Sequence, residues 1–208
     1  MLFRRIAQPY LIALAVVATT GCNADKGLPT AGMDPKLAAQ HQANLAAIET
    51  ERQASNARYD SLMTVWTTRG SGQRPMTAAG DSTFAVIPCA PLPFSGSAQI
   101  VGPAGGVFYF GPHKLVVPAG ALSEEISIAV MVKTTLETQV ELLPHGTQFA
   151  VPVKLKLAYS QCVPAAQHNV AYIDANGGLL EWTQVVDYPT YNFVVASLNH
   201  FSTYAVAY

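Results

Sequence analysis

The chain has 208 residues, half of them apolar and only 12% charged, and its 12 Lys and Arg against 13 Asp and Glu give a formal net charge of −1. That balance supplies no electrostatic drive toward nucleic acid or an anionic membrane surface. The length suits one packed domain with an extension, and beyond residue 21 no apolar run is long enough to cross a bilayer, so any membrane attachment of the folded part calls for a lipid.

Arg4 and Arg5 precede the apolar run Tyr10-Leu-Ile-Ala-Leu-Ala-Val-Val-Ala18, and Thr19-Thr-Gly-Cys22 follows. A basic start, an apolar stretch too short for a stable span and small residues at a cleavage point predict a secretory signal over residues 1–21. With Cys22 directly after Gly21, the segment resembles a bacterial lipoprotein signal, although Thr19 stands where such signals usually carry Leu. The resemblance implies that Cys22 is lipid-modified and becomes the new N-terminus, with the membrane reached through that lipid. Asn23 follows it, and Asp is the usual inner-membrane retention residue at that place, so the expected location is the cell envelope at the outer membrane. The alternative is an ordinary secretory signal with a coincidental Cys.

Residues 22–33 read as a tether punctuated by Gly27, Pro29 and Gly32. Asp34-Pro35 then supplies an N-cap acid followed by Pro at the first helical position. The next residues, rich in Ala, Gln, Leu, Glu and Arg and free of Gly, predict one helix over 34–68. Leu45, Ile48, Arg52, Ser55, Tyr59, Leu62 and Trp66 form a seam with alternating spacings of three and four. Such a seam suits packing on the following domain, a spacer role, or a homo-oligomeric stalk built through the helix. Arg69-Gly-Ser-Gly-Gln-Arg-Pro75 ends the helix and opens a linker over 69–82.

From Thr83 to the end at 208 the pattern changes to short β-prone runs between Gly, Pro and Asn. The expected strands are Thr83–Ile87, Gln99–Val101, Gly106–Phe110, Lys114–Val117, Ile126–Lys133, Val151–Tyr159, Val170–Asp174, Leu179–Val186, Tyr191–Ser197 and Ser202–Tyr208. Lys154-Leu-Lys-Leu-Ala-Tyr alternates as a strand with one wet face should. Asp174-Ala-Asn-Gly-Gly178 marks a hairpin turn. The expected fold is mainly β: an antiparallel β-sandwich over 83–208, preceded by one long N-terminal α-helix and a lipoprotein signal peptide.

Gly105-Gly-Val-Phe-Tyr-Phe, followed by His113-Lys-Leu-Val-Val-Pro-Ala-Gly-Ala-Leu122, resembles the opening of a ZU-five domain. Leu143-Pro-His-Gly-Thr-Gln-Phe-Ala-Val-Pro-Val-Lys-Leu157 is similar to that family's phrase in which a strand begins through Phe-x-x-Pro-Val. The resemblance covers roughly residues 99–158. It implies a β-sandwich devoted to protein–protein contact, with no chemistry in the motif itself. Physically, Pro118 and Gly120 would end a strand and turn the chain, and Ala119 and Ala121 would leave room for close approach. An envelope protein or a glycan is the expected partner, and no cofactor is expected.

No hydrolase, phosphate-loop or dinucleotide signature is present, so no catalytic residue is assigned. Histidines 41, 113, 145, 168 and 200 are scattered singly, and no metal site is assigned. One tripeptide offers an alternative. His200-Phe201-Ser202 resembles the His-Phe-Ser sequence at which some ZU-five scaffold proteins and a nucleoporin domain cut themselves. By that resemblance Ser202 would attack the Phe201 carbonyl with His200 as base, given a strained peptide bond. The bland reading makes the same residues the corner before the last strand.

With Cys22 set aside, Cys89 and Cys162 remain, each in a Pro-flanked end of a β run. In an exported chain they suit a disulfide, and the alternative is a pair of buried free thiols.

Overall fold

A computed structural model describes residues 32–69 and 85–208. The expected signal over 1–21, Cys22, most of the expected tether and residues 70–82 of the expected linker lie outside the described residues, as do Thr83 and Phe84.

Helix α1 spans Pro35–Arg69. Asp34 caps it, its Oδ1 accepting from the amides of Lys36 and Leu37 at 2.8 and 3.2 Å, and Pro35 begins the first turn. Eleven strands follow in chain order: β1 Ser95–Val101, β2 Gly106–Phe110, β3 His113–Val117, β4 Ile126–Lys133, β5 Gln139–Leu143, β6 Gln148–Ala158, β7 Asn169–Ile173, β8 Leu179–Trp182, β9 Gln184–Tyr188, β10 Phe193–His200 and β11 Thr203–Ala207. They build two antiparallel sheets, one ordered β1-β4-β5-β11-β7-β8 and the other β2-β3-β6-β10-β9. Phe108, Leu115, Leu155 and Leu198 of the second sheet share one buried core with Ile128, Leu142, Tyr204 and Val206 of the first, a sandwich-like arrangement.

Five expected strands need correction: in place of Tyr191–Ser197 the strand is β10, Phe193–His200, with Tyr191 in a 3-10 turn over Pro189–Tyr191, and four others differ as follows. In the described part of the run expected over Thr83–Ile87, Val86 makes only an isolated bridge, to Ala207, and Pro88 and Cys89 beyond it bridge to Glu137 and Cys162. β5 lay in no expected run: Gln139-Val-Glu-Leu-Leu143 interleaves polar residues with the buried Val140 and Leu142. The run read as Leu179–Val186 is two strands, because the chain leaves the first sheet after Trp182 and joins the second at Gln184. Thr183 sits at that step, its amide and hydroxyl both bonded to the Val170 carbonyl. β1 and β6 begin earlier than expected, at Ser95 and Gln148. The turn after β7 is the expected hairpin: Asp174 accepts from the Asn176 and Gly178 amides, and Gly177 takes φ +81°.

Along β4 every residue from Ser127 to Val132 is buried, whereas a sheet with one wet face would alternate. Ile128, Val130 and Val132 point into the shared core, and α1 lies along β1 and β4 above the remaining positions. Register places Gly96 beside Met131, Ala98 beside Ala129 and Ile100 beside Ser127 on that outer face. Small residues there let the helix approach closely. The docked stripe of α1 is Leu37, His41, Asn44, Ile48, Glu51, Ser55, Arg58 and Leu62, all buried or half-buried. It shares Ile48, Ser55 and Leu62 with the expected seam and departs from it elsewhere: Leu45 is 40% exposed while Asn44 is buried, and Arg52 is exposed while Glu51 is half-buried. The apolar criterion misses this stripe because the contacts are polar. Asn44 Nδ2 donates to the Ser127 carbonyl at 2.9 Å, and the Ser127 amide donates to Gln40 Oε1 at 2.9 Å. At the other end the Thr134 amide donates to Ser55 Oγ at 3.2 Å, and Arg58 Nε donates to the Thr134 carbonyl at 2.7 Å.

One buried titratable group stands out in the core. His113 is 1% exposed; its Nδ1 accepts from the Ala158 amide at 3.1 Å, and its Nε2 has no hydrogen-bond partner among the described residues. Burial lowers its pKa to about 4, so the folded protein holds the neutral ring. Between about pH 6.5 and 4 the unfolded chain binds a proton that the folded chain does not. Stability therefore falls on acidification through that window, by at most about 3 kcal/mol from this group. His113→Gln should flatten the stability-versus-pH curve over that range in denaturant titrations. An unchanged slope would show that His113 does not carry the acid sensitivity.

Candidate functional site at the sheet crossover

Three of the chain's passages between the sheets meet at one corner. The first, after β3, carries Pro118–Leu122. Gly120 takes φ +78° and its amide donates to the Pro103 carbonyl at 2.8 Å, which turns the chain there. Close approach is made by Gly105 rather than by Ala119, which is exposed: a Cβ on Gly105 would lie 2.3 Å from the Val117 carbonyl oxygen. The second passage leads from β5 through Pro144–Thr147 into β6. The third is Phe201-Ser202, between β10 and β11.

Backbone bonds lock the three together. The Gly146 amide donates to the Phe201 carbonyl and the Phe201 amide to the Thr147 carbonyl, each at 3.0 Å. Ala150 donates to the Ala121 carbonyl at 3.1 Å. Phe149 packs edge-on against the fully buried Phe201, ring centroids 4.6 Å apart. The Phe149-Ala-Val-Pro-Val153 phrase is thus the irregular start of β6, where pairing with β10 shifts between Leu198 and His200. Pro152, with no amide hydrogen to donate, suits such an irregularity.

His200 closes β10 and faces a shallow cleft of about 280 Å³ lined by Tyr172, Glu181, Trp182, Asn199 and Tyr204. Its ring partners are Glu181, with Nε2 3.5 Å from Oε2, and the Tyr204 hydroxyl, 3.5 Å from Nδ1. The Tyr204 hydroxyl donates to the His200 carbonyl at 2.7 Å. Burial, with Glu181 nearby, raises the pKa of that hydroxyl and keeps it a donor. Ser202 is buried, and its carbonyl accepts from the Leu142 amide at 3.0 Å.

Set against the self-cleavage chemistry, the corner supplies one element. The Gly146 amide on the Phe201 carbonyl is placed as a donor to a developing oxyanion would be. The other elements are differently engaged. His200 bonds Glu181 and Tyr204, with no hydrogen bond to Ser202 among the described residues, and none of the three residues has a positive φ. The peptide groups on both sides of Phe201 sit in ordinary hydrogen bonds.

A second polar cluster lies near the end of β6. Tyr159 Oη donates to Asp187 Oδ1 at 2.6 Å, and His168 Nδ1 lies 3.1 Å from Asp187 Oδ2. The Tyr159 and His168 rings stack at 3.7 Å. Close by, Cys89 and Cys162 form a disulfide with Cα atoms 3.8 Å apart, and the Thr138 hydroxyl lies 3.3 Å from each sulfur. The bridge closes a sequence separation of 73 residues, a constraint on the unfolded chain of about 4 kcal/mol in the chain-entropy description. Cys22, the residue expected to carry the lipid, lies outside the described residues.

The convergence of the corner's segments was not legible in the sequence, where their partners are tens of residues apart. No model of a known protein family matches this sequence, and no characterised protein matches it.

The corner geometry predicts a protein that stays whole. Mass measurement on the denatured, purified chain should find residues 202–208 still attached. Loss of those residues, abolished by Ser202→Ala, would overturn the structural role given to the corner.

Proposed function

We propose that this chain is a lipid-anchored protein of a bacterial cell envelope, at the outer membrane, carrying a non-enzymatic ZU-five-like β-sandwich for contacts with envelope proteins or glycans. The observation that carries the reading is the N-terminal arrangement: two arginines, a short apolar run and small residues ending at Gly21-Cys22. The Cys89–Cys162 bridge supports it, because disulfides persist in oxidising compartments outside the cytoplasm.

Under this reading Cys22 is the point of attachment and the following residues are a tether. Helix α1 serves as a packing element of the domain rather than a homo-oligomeric stalk, since its buried stripe is engaged by β4 of the same chain. The His200-Phe201-Ser202 corner serves the sandwich.

Cells expressing the chain and fed an alkyne fatty acid should yield labelled protein in the membrane fraction. Cys22→Ser should abolish the label and release the protein. Absent labelling, or labelling that survives the substitution, contradicts the anchor.

A further inference from the structure

The two outer faces of the sheets differ. Helix α1 covers β1 and β4 of the first sheet, whereas among the described residues no element packs over the outer face of the second. Tyr109 there is 70% exposed and Val186 is 56% exposed.

Register sets Lys114 beside Tyr109 and directly opposite Lys156, with Lys154 one row along β6. Neighbouring strands are about 4.8 Å apart and alternate residues about 6.8 Å, so the three lysines rise from adjacent positions on one face of the sheet. Each is held by a neutral group. Lys114 Nζ lies 5.3 Å from the Tyr109 ring centroid, Lys156 Nζ lies 3.8 Å over Phe193, and Lys154 Nζ is 2.6 Å from Ser197 Oγ. None of the three is ion-paired among the described residues. Tyr188 and Tyr191 extend the aromatic surface from Phe193, at centroid distances of 4.8 and 6.1 Å.

Like charges directly opposite on a sheet destabilise it, so the Lys114–Lys156 pair brings the folded chain no stability. In a chain whose formal net charge is −1, this face is a local excess of positive charge. Charge complementarity therefore names an anionic occupant. An open sheet face suits an extended polymer better than a small molecule, which a concave site would hold. Exposed aromatic rings beside the ammoniums offer apolar surfaces on which sugar rings can lie while acidic groups meet the lysines.

Resting on the envelope reading above, we propose that this face binds an acidic polysaccharide. Lys114, Lys154 and Lys156 take its carboxylate or phosphate groups, and the exposed Tyr109 and Tyr191 carry its rings.

The test uses the full-length chain, purified in neutral detergent, titrated at low salt with polygalacturonate and with neutral dextran. Polygalacturonate should bind and dextran should not. The Lys114→Gln, Lys154→Gln, Lys156→Gln triple variant should bind about tenfold more weakly or worse, while the corresponding triple Arg variant retains affinity. If the triple Gln variant fails to fold, Tyr191→Ala, at a residue 73% exposed, provides the second weakened variant. Undiminished binding by the folded variants overturns the proposal, as does dextran binding as tight as polygalacturonate binding. Tighter binding of oligothymidylate or phosphatidylglycerol vesicles than of polygalacturonate overturns it too. Fatty-acid labelling at Cys22 is read separately, so failure of this surface leaves the anchor standing and failure of the anchor leaves this binding measurable.

Discussion

The polar docking of α1 along β4 is the contact from which the asymmetry of the molecule follows. A pair of stacked sheets has two outer faces, and a mostly apolar chain must cover whichever one it makes apolar. Here the first sheet presents Ala98, Ala129 and Met131 outward, and the helix closes over them. Its attachment is fixed by main-chain groups of Ser127 and Thr134, at the two ends of β4. From His41 and Asn44 to Ser55 and Arg58 the helix rises about 21 Å. Seven residues of strand cover about 23 Å, so the two sets of partners match in length. Hydrogen bonds of this kind define register as well as affinity, because each unmade one would leave a buried polar group unsatisfied.

With one face closed in this way, the other is left to the outside, and its residues differ in kind. The second sheet sets lysines and tyrosines outward where the first sets alanines. The crossover corner lies between these faces and ties them together. Phe201 fills the core as the last strand changes sheets, the turn before β6 is bonded to it, and the turn before β4 is bonded to the start of β6.

Period and punctuation made much of the fold legible. Gly106–Phe110 and Ile126–Lys133 are strands with the bounds that the sequence pattern predicts, and Asp174–Gly178 is the expected hairpin. What escaped was tertiary in origin. β5 is half polar, because Glu141 pairs with Lys133 across the sheet and gives no apolar run to detect. The change of sheets at Thr183 leaves β propensity continuous through it. The docked stripe of α1 was displaced from the expected seam because Asn44 rather than Leu45 is buried, for its hydrogen bond to Ser127, a preference that hydrophobic periodicity cannot register. The basic face was hidden by a net charge near zero. Only register reveals that three of the lysines share one surface.

Amide hydrogen exchange on the native protein tests this unequal architecture most directly. The Ser127 and Thr134 amides are bonded to Gln40 and Ser55 of the helix. Docking therefore predicts that both exchange on the slow timescale of the core strands. Exchange at both positions as fast as in the exposed turn at Asn176 would mean that α1 does not hold the first sheet closed.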